Sequence, residues 1–160
     1  MYLLDANVFI EAKNFYYSYD ICPAFWTWLD DALGDTVVSI ELVRQELAEG
    51  NDELADWAKA QKDPDRFLEV DDEPTQELFK QVAATVMAGD CQPHAKSEFL
   101  KGADPWLVAK AKVIGGTVVT QEQLNLAAKR KVFLPNICSA FAVDFQGTYK
   151  LLRNLGVQFT

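Results

Sequence analysis

Three short apolar runs, Tyr2-Leu3-Leu4, Val37-Val38-Ser39 and Thr117-Val118-Val119-Thr120, are separated by segments whose apolar residues recur at helical spacing. Parallel strands need long crossovers, and helices supply them, so this alternation predicts a parallel sheet covered on both faces. The runs are apolar almost throughout, as strands buried between two layers require. A chain of 160 residues buries roughly two-thirds of its unfolded surface, so the core needs neither a disulfide nor a structural metal. The expected fold class is α/β: three α/β/α layers around a central, mostly parallel sheet of four to five strands, in a single domain over residues 1–160.

Local signals fill in the remainder. Asn7 to Phe15 has helical spacing, and Pro23 opens a helix that carries Trp26, Leu29 and Leu33 and stops at Gly34. Helices are expected over Glu41–Glu49, Asn51–Lys62 and Pro74–Ala88, ended by Gly50, Asp63-Pro64 and Gly89. Phe67 to Val70 reads as an edge strand, while Cys91 to Lys101 has no clear period. Asp104-Pro105 opens a helix through Ile114, closed by Gly115-Gly116. Beyond Thr120 the pattern predicts a short helix over Gln123–Arg130 and a strand at Val132-Phe133-Leu134. A helix over Thr148–Leu155 and an edge strand at Val157-Gln158-Phe159 complete the chain.

No apolar run approaches the ~20 residues that cross a bilayer. The start, MYLLDANVF, places an acid where a secretory leader carries basic residues. Cys22, Cys91 and Cys138 are odd in number and widely spaced, which suits a reducing cytoplasm and no zinc ribbon. A formal charge of -9 argues at first against a nucleic-acid partner. The sum hides an asymmetry: residues 1–95 hold 6 basic and 20 acidic side chains, and residues 96–160 hold 9 basic and 4 acidic. Most of the basic excess lies between Lys96 and Lys131, so a positive surface is compatible with an acidic protein.

In open parallel sheets, ligands bind beyond the carboxyl ends of the strands. Four acids fall there: Asp5 after the first strand, Glu46 in the helix after the second, Asp104 before the third, and Glu122 just past Thr120. Carboxylates brought together in a confined site need a counter-charge, and an all-oxygen donor set suits Mg2+ or Mn2+. His94 is the only histidine, so no cluster competes for zinc. Each acid also has a structural reading. Asp104 before Pro105 is a good helix cap, Glu46 fits a solvated face beside Arg44 and Glu49, and Glu122 favours the start of a following helix. Asp5 is the hardest to explain this way, because a carboxylate ending a buried strand is costly unless paired or ligated.

Taken in order, Leu4-Asp5-Ala6-Asn7, Ser39 with Glu46-Leu47, Ala103-Asp104-Pro105-Trp106-Leu107-Val108-Ala109 and Val118-Val119-Thr120-Gln121-Glu122 resemble the acidic motifs of PIN-domain nucleases. Gly50-Asn51-Asp52-Glu53-Leu54 with Trp57, and Pro135-Asn136-Ile137-Cys138, resemble a subgroup of PIN-like proteins of poorly defined function. The nearest functional analogy is to VapC-type toxins of toxin–antitoxin modules. The resemblance implies a Mg2+- or Mn2+-dependent endoribonuclease in which Asp5, Glu46, Asp104 and Glu122 are catalytic metal ligands, supported by Asn7 and Thr120. Glu122 stands where the family commonly has Asp, one methylene shorter. The resemblance further implies a homodimer, a cognate antitoxin and a cytoplasmic location, with no membrane.

Lys129-Arg130-Lys131 are the candidates for holding RNA phosphates, with Lys96, Lys101, Lys110 and Lys112 either flanking the pocket or solvated on helix faces. Phe15, Tyr16, Tyr17 and Tyr19, followed by Trp26 and Trp28, can stack bases of a single-stranded RNA, or form core or a protein interface. Two alternatives stay open. One is a catalytically weak PIN-like scaffold that binds RNA or protein. The other is a phosphatase of the haloacid dehalogenase type, although its second Asp is replaced here by Asn7.

Overall fold

In the computed structural model, which describes residues 1–160, the first strand β1 (Tyr2–Leu4) lies at the centre of the sheet. To one side of it are β2 (Val37–Ile40) and β3 (Phe67–Leu68), and to the other β4 (Thr117–Val119) and β5 (Phe145–Gln146). The order is β3-β2-β1-β4-β5 and every pairing is parallel, with Leu3 opposite Val38 and Leu4 opposite Val119. Leu3, Leu4, Val37, Val38, Ile40, Val118 and Val119 are all buried, as two-sided burial of apolar strands demands.

Helices cover both faces. Between β1 and β3 run α1 (Ala6–Glu11), which continues as a π-helical turn over Ala12–Tyr16, α2 (Pro23–Ala32), α3 (Glu41–Ala48) and α4 (Glu53–Ala60). Between β3 and β4 run α5 (Glu73–Ala88), α6 (Pro93–Lys101) and α7 (Asp104–Ile114), and α8 (Leu134–Ala140) and α9 (Thr148–Asn154) follow. α1, α3 and α4 pack on one another, whereas α5, α6, α7 and α8 form a second group, in which Phe79 stacks on Trp106 at 3.7 Å. The split follows the strand order, since the chain walks outward from β1 through β2 to β3 and then returns to β4 and β5 on the other side. Gly115 ends α7 in the left-handed conformation at φ 67°, and a side chain at Gly116 would collide with Leu3, so this Gly-Gly pair lets β4 enter beside β1. No helix is long and apolar enough to cross a membrane.

Three expectations are corrected. Gln123–Arg130 forms turns, not a helix: Leu124 and Leu126 are exposed, so no apolar face holds a helix there. Asn136 instead pins the segment by accepting from Asn125 N–H at 2.9 Å and donating to Asn125 carbonyl at 2.8 Å. Val132-Phe133-Leu134 pairs with no strand; Phe133 is the extended residue before α8, with Pro135 in its first turn. The place beside β4 belongs to Phe145–Gln146, too short to show a period. Val157–Phe159 is likewise not a strand, and the Phe159 ring packs against Tyr17 and Phe25. Cys91–Lys101 resolves as α6 from Pro93 onward.

Candidate active site

β1 and β4 are adjacent, and the chain's direction of travel reverses between them, so their carboxyl ends bound a crevice. Asp5 and Thr120 stand on its two sides. Thr120 Oγ1 donates to Asp5 Oδ2 at 2.9 Å, and Asp5 Oδ1 accepts from Asn7 N–H at 3.5 Å, capping α1. Asp5 N–H donates to the Val119 carbonyl at 3.0 Å, and the Ser39 hydroxyl donates to the Leu4 carbonyl at 2.6 Å, which locks β1, β2 and β4 together at this edge. Asp5 is 2% exposed.

The other acids reach the same edge from three elements. Glu46, on α3, accepts from Ala103 N–H at 2.8 Å through Oε1 and so ties the first helical group to the start of α7. Asp104 is the first residue of α7 and caps nothing, since the cap position is Ala103. Asp104 is partly buried, and no hydrogen bond or ion pair engages its carboxylate. Glu122 follows Thr120 and donates its N–H to Thr120 Oγ1 at 3.1 Å. Its Oε2 accepts from Leu134 N–H at 2.8 Å, and its Oε1 pairs with Lys131 at 2.8 Å.

Electrostatics mark these residues as one site. Burial, opposed by the Thr120 hydrogen bond and reinforced by Glu122 and Glu46, pushes the Asp5 carboxyl up to about 6. Burial and the negative fields of Asp5, Glu122 and Glu46 hold Asp104 well above the usual carboxylate range, with Lys131 pulling the other way. The Cys138 thiol, pushed up to about 12 by burial, also feels Asp104, Asp5 and Glu122. No three of the acids close into a ready cage for an ion, and each of the two glutamates accepts from a backbone N–H. The donor chemistry nevertheless fits a hard divalent cation. Two desolvated aspartates repel each other, and neither is paired with a cationic side chain.

A cleft of about 430 Å3 opens over this edge, lined by Asn7, Asp104 and Glu122, by His94 and Glu98 of α6, and by Arg130 and Lys131. His94 and Glu98 were not assigned to the site from sequence, because α6 has no legible period. Of the three basic residues expected together, Arg130 and Lys131 line the cleft, whereas Lys129 pairs with Asp90. Lys96 donates to the Met87 carbonyl, Lys101 pairs with Glu98, and Lys110 pairs with Asp72. The aromatic run divides. Tyr17 stacks on Phe25 at 4.5 Å and Tyr19 on Trp26 at 4.2 Å, while Phe15 and Tyr16 are exposed.

An all-parallel sheet in this order, flanked by helices on both faces, is the PIN-like fold. The chain belongs to the family described as a domain of unknown function, DUF4411, whose model matches residues 2–159. Two solved structures share the fold. One is FitAcB from Neisseria gonorrhoeae, at 20% identity and TM-score 0.53, over 91% of this chain and 96% of that one. The other is FitAB bound to an IR36 DNA fragment, at 19% identity and TM-score 0.54, over 92% and 94%. No curated protein matches the chain.

Proposed function

We propose that this chain is a Mg2+- or Mn2+-dependent endoribonuclease, working in the cytoplasm as the toxin of a toxin–antitoxin module. The observation that carries the reading is the pair Asp5 and Asp104, which follow β1 and begin α7, lie in each other's field, and are desolvated without a cationic partner. Asp5 and Asp104 would hold the ion, with Glu46 completing the set by turning from Ala103. When bound, such an ion polarises the scissile phosphate and lowers the pKa of an attacking water.

The chain's own residues do the rest. Thr120 fixes the Asp5 carboxylate through its hydroxyl, and Asn7 presents a polar side chain to the cleft beside it. Arg130 and Lys131 on the cleft rim offer cationic contacts to the RNA backbone. In-line hydrolysis leaves a 5′-phosphate and a 3′-hydroxyl. Single-stranded RNA is the substrate class, since bases there are free to splay out. Phe15, Tyr16 and Tyr149, all exposed, with the Tyr16 and Tyr149 rings at 5.9 Å, form the surface for homodimer or antitoxin contact.

Asp5→Asn and Asp104→Asn test the reading: each abolishes Mn2+-dependent cleavage of single-stranded RNA, and full activity in either sinks it. DNA is the comparison substrate, because the FitAB structure contains DNA. The absence of a ready three-ligand cage favours a second reading, a PIN-like scaffold that binds RNA or protein without turnover. RNA binding without cleavage in Mn2+ selects it, and turnover of a chromogenic phosphate monoester selects the haloacid dehalogenase alternative.

A further inference from the structure

Glu122 already has a counter-charge of its own. One carboxylate oxygen pairs with Lys131 and the other accepts the first N–H of α8, both at 2.8 Å, and the side chain is 10% exposed. Its own N–H is bound to the Thr120 hydroxyl that orients Asp5, so the residue is anchored at both ends. Both Asp5 oxygens also accept hydrogen bonds, but only from a hydroxyl and a backbone N–H, whereas Glu122 is already neutralised, so an ion on Glu122 would stand against the Lys131 ammonium or displace it. Glu46 has one oxygen committed and Asp104 has none.

Lys131 is in the opposite position, being a cation held in place yet open to the cleft. Its side chain is 56% exposed, and its ammonium lies 5.0 Å from the centroid of the Phe133 ring as well as against Glu122. The segment before α6 holds the same loop from behind. Asp90 pairs with Lys129, Gln92 N–H donates to the Lys129 carbonyl at 2.7 Å, and the Cys91 thiol donates to the Ala128 carbonyl at 3.4 Å. The field of Lys131 also offsets the repulsion that the other acids exert on Asp104.

We propose that Lys131, held by Glu122, is a fixed cation of the cleft that meets the substrate phosphate where a second metal ion would otherwise sit. On this view the centre takes a single divalent ion, and Glu122 is a positioning residue rather than a ligand. The proposal rests on the nuclease reading above. A preorganised ammonium offsets charge that builds on the phosphate without having to be recruited from solution.

Calorimetric titration of the full chain with Mn2+, together with cleavage of single-stranded RNA, tests this on the wild type and on Glu122→Gln, Asp104→Asn, Lys131→Gln and Lys131→Arg. The wild type takes up one Mn2+ per chain. Glu122→Gln, whose amide oxygen still accepts from Leu134, loses less than about tenfold in Mn2+ affinity, while Asp104→Asn loses Mn2+ binding. Lys131→Gln lowers kcat by about 100-fold with little change in KM, and Lys131→Arg recovers most of it. Two ions per wild-type chain, or loss of Mn2+ binding in Glu122→Gln matching that in Asp104→Asn, overturns the proposal. If Glu122→Gln does not fold, the wild-type stoichiometry and the Lys131 pair decide. A wild type that cleaves RNA with two ions overturns this proposal alone, whereas one that neither binds Mn2+ nor cleaves overturns the nuclease reading with it.

Discussion

Asp72 and Asp5 begin helices in the same way, each accepting a hydrogen bond from a backbone N–H in the first turn, Thr75 for α5 and Asn7 for α1. Their electrostatics are opposite. Asp72 is held at about 2, chiefly by its hydrogen bond to Lys110 at 2.8 Å and by Thr75, whose hydroxyl and N–H both donate to it. Asp5 is pushed up to about 6 because burial outweighs its single hydroxyl donor and two other carboxylates face it. Capping alone stabilises a helix, so the difference lies in the counter-charge. Asp72 carries its own cation, and Asp5 has none.

The sharpest way to break this comparison is through catalysis. A bound ion contributes several kcal/mol of charge stabilisation in the transition state, so Asp5→Asn and Asp104→Asn are expected to lose about 1000-fold or more of the Mn2+-dependent RNA cleavage. Asp72→Asn keeps wild-type turnover in the same assay. Equal losses at Asp5 and Asp72 would mean that both act only through folding.

A second expectation concerns pH. An acid whose pKa rises on folding binds its proton more tightly in the native state. Its contribution to stability is therefore complete below 3.8 and is lost as pH rises through about 6. Above that, ionised Asp5 costs the metal-free fold about 2–3 kcal/mol. Thermal melts of metal-free wild type and Asp5→Asn should thus converge at low pH and diverge above pH 6, with Asn the more stable. Saturating Mn2+ narrows the gap by stabilising the wild type alone. Parallel curves across this range would show that burial of the Asp5 carboxylate costs the fold nothing.

The same two aspartates show what was legible in the sequence. Asp5, Thr120 and Asp104 were readable because each sits one step beyond an apolar run or at the head of a clearly periodic helix, and topology alone carries such positions to one edge. Glu46 was placed by its motif, but its bond to Ala103 joins segments 57 residues apart and leaves no local trace. Gln123–Arg130 and Val132–Leu134 differ from the local pattern because contacts beyond a helical or strand period shape them: the Asn136 side chain holds Asn125, and the Leu134 N–H holds Glu122. β5 has two residues, below the length at which alternation is visible, and α6, which supplies His94 and Glu98, lacks a clean apolar period. Local pattern carried the sheet and its edge, and long-range polar contacts decided the loop that roofs them.

Smaller in size is the effect of removing the Asp72 cap. Asp72→Ala is expected to cost about 1 kcal/mol in denaturant unfolding, the usual loss for a helix cap, with little added by the ion pair because the Asp72 side chain is 36% exposed. Its pH dependence has the reverse sign from that of Asp5. A depressed pKa gives stability that is present above 3.8 and lost as pH falls through about 2. A difference between wild type and Asp72→Ala that grew on acidification would contradict the assignment.

The smallest expected effect separates the lysines. Lys110 lies in the basic half of the chain and was a candidate for flanking the pocket, yet its ammonium is turned to Asp72 and its side chain is 13% exposed. Lys110→Met should cost about 0.5 kcal/mol or less and leave RNA affinity and its salt dependence unchanged. Arg130, on the cleft rim, should behave differently: Arg130→Ala weakens single-stranded RNA binding and lowers the slope of log affinity against log salt by about 1, as the loss of one phosphate contact requires. Filter binding across a salt series measures both. A slope change at Lys110 as large as at Arg130 would place RNA on the α5–α7 side of the molecule, and the contrast between an acid paired with its own cation and one without would no longer separate structural from functional groups.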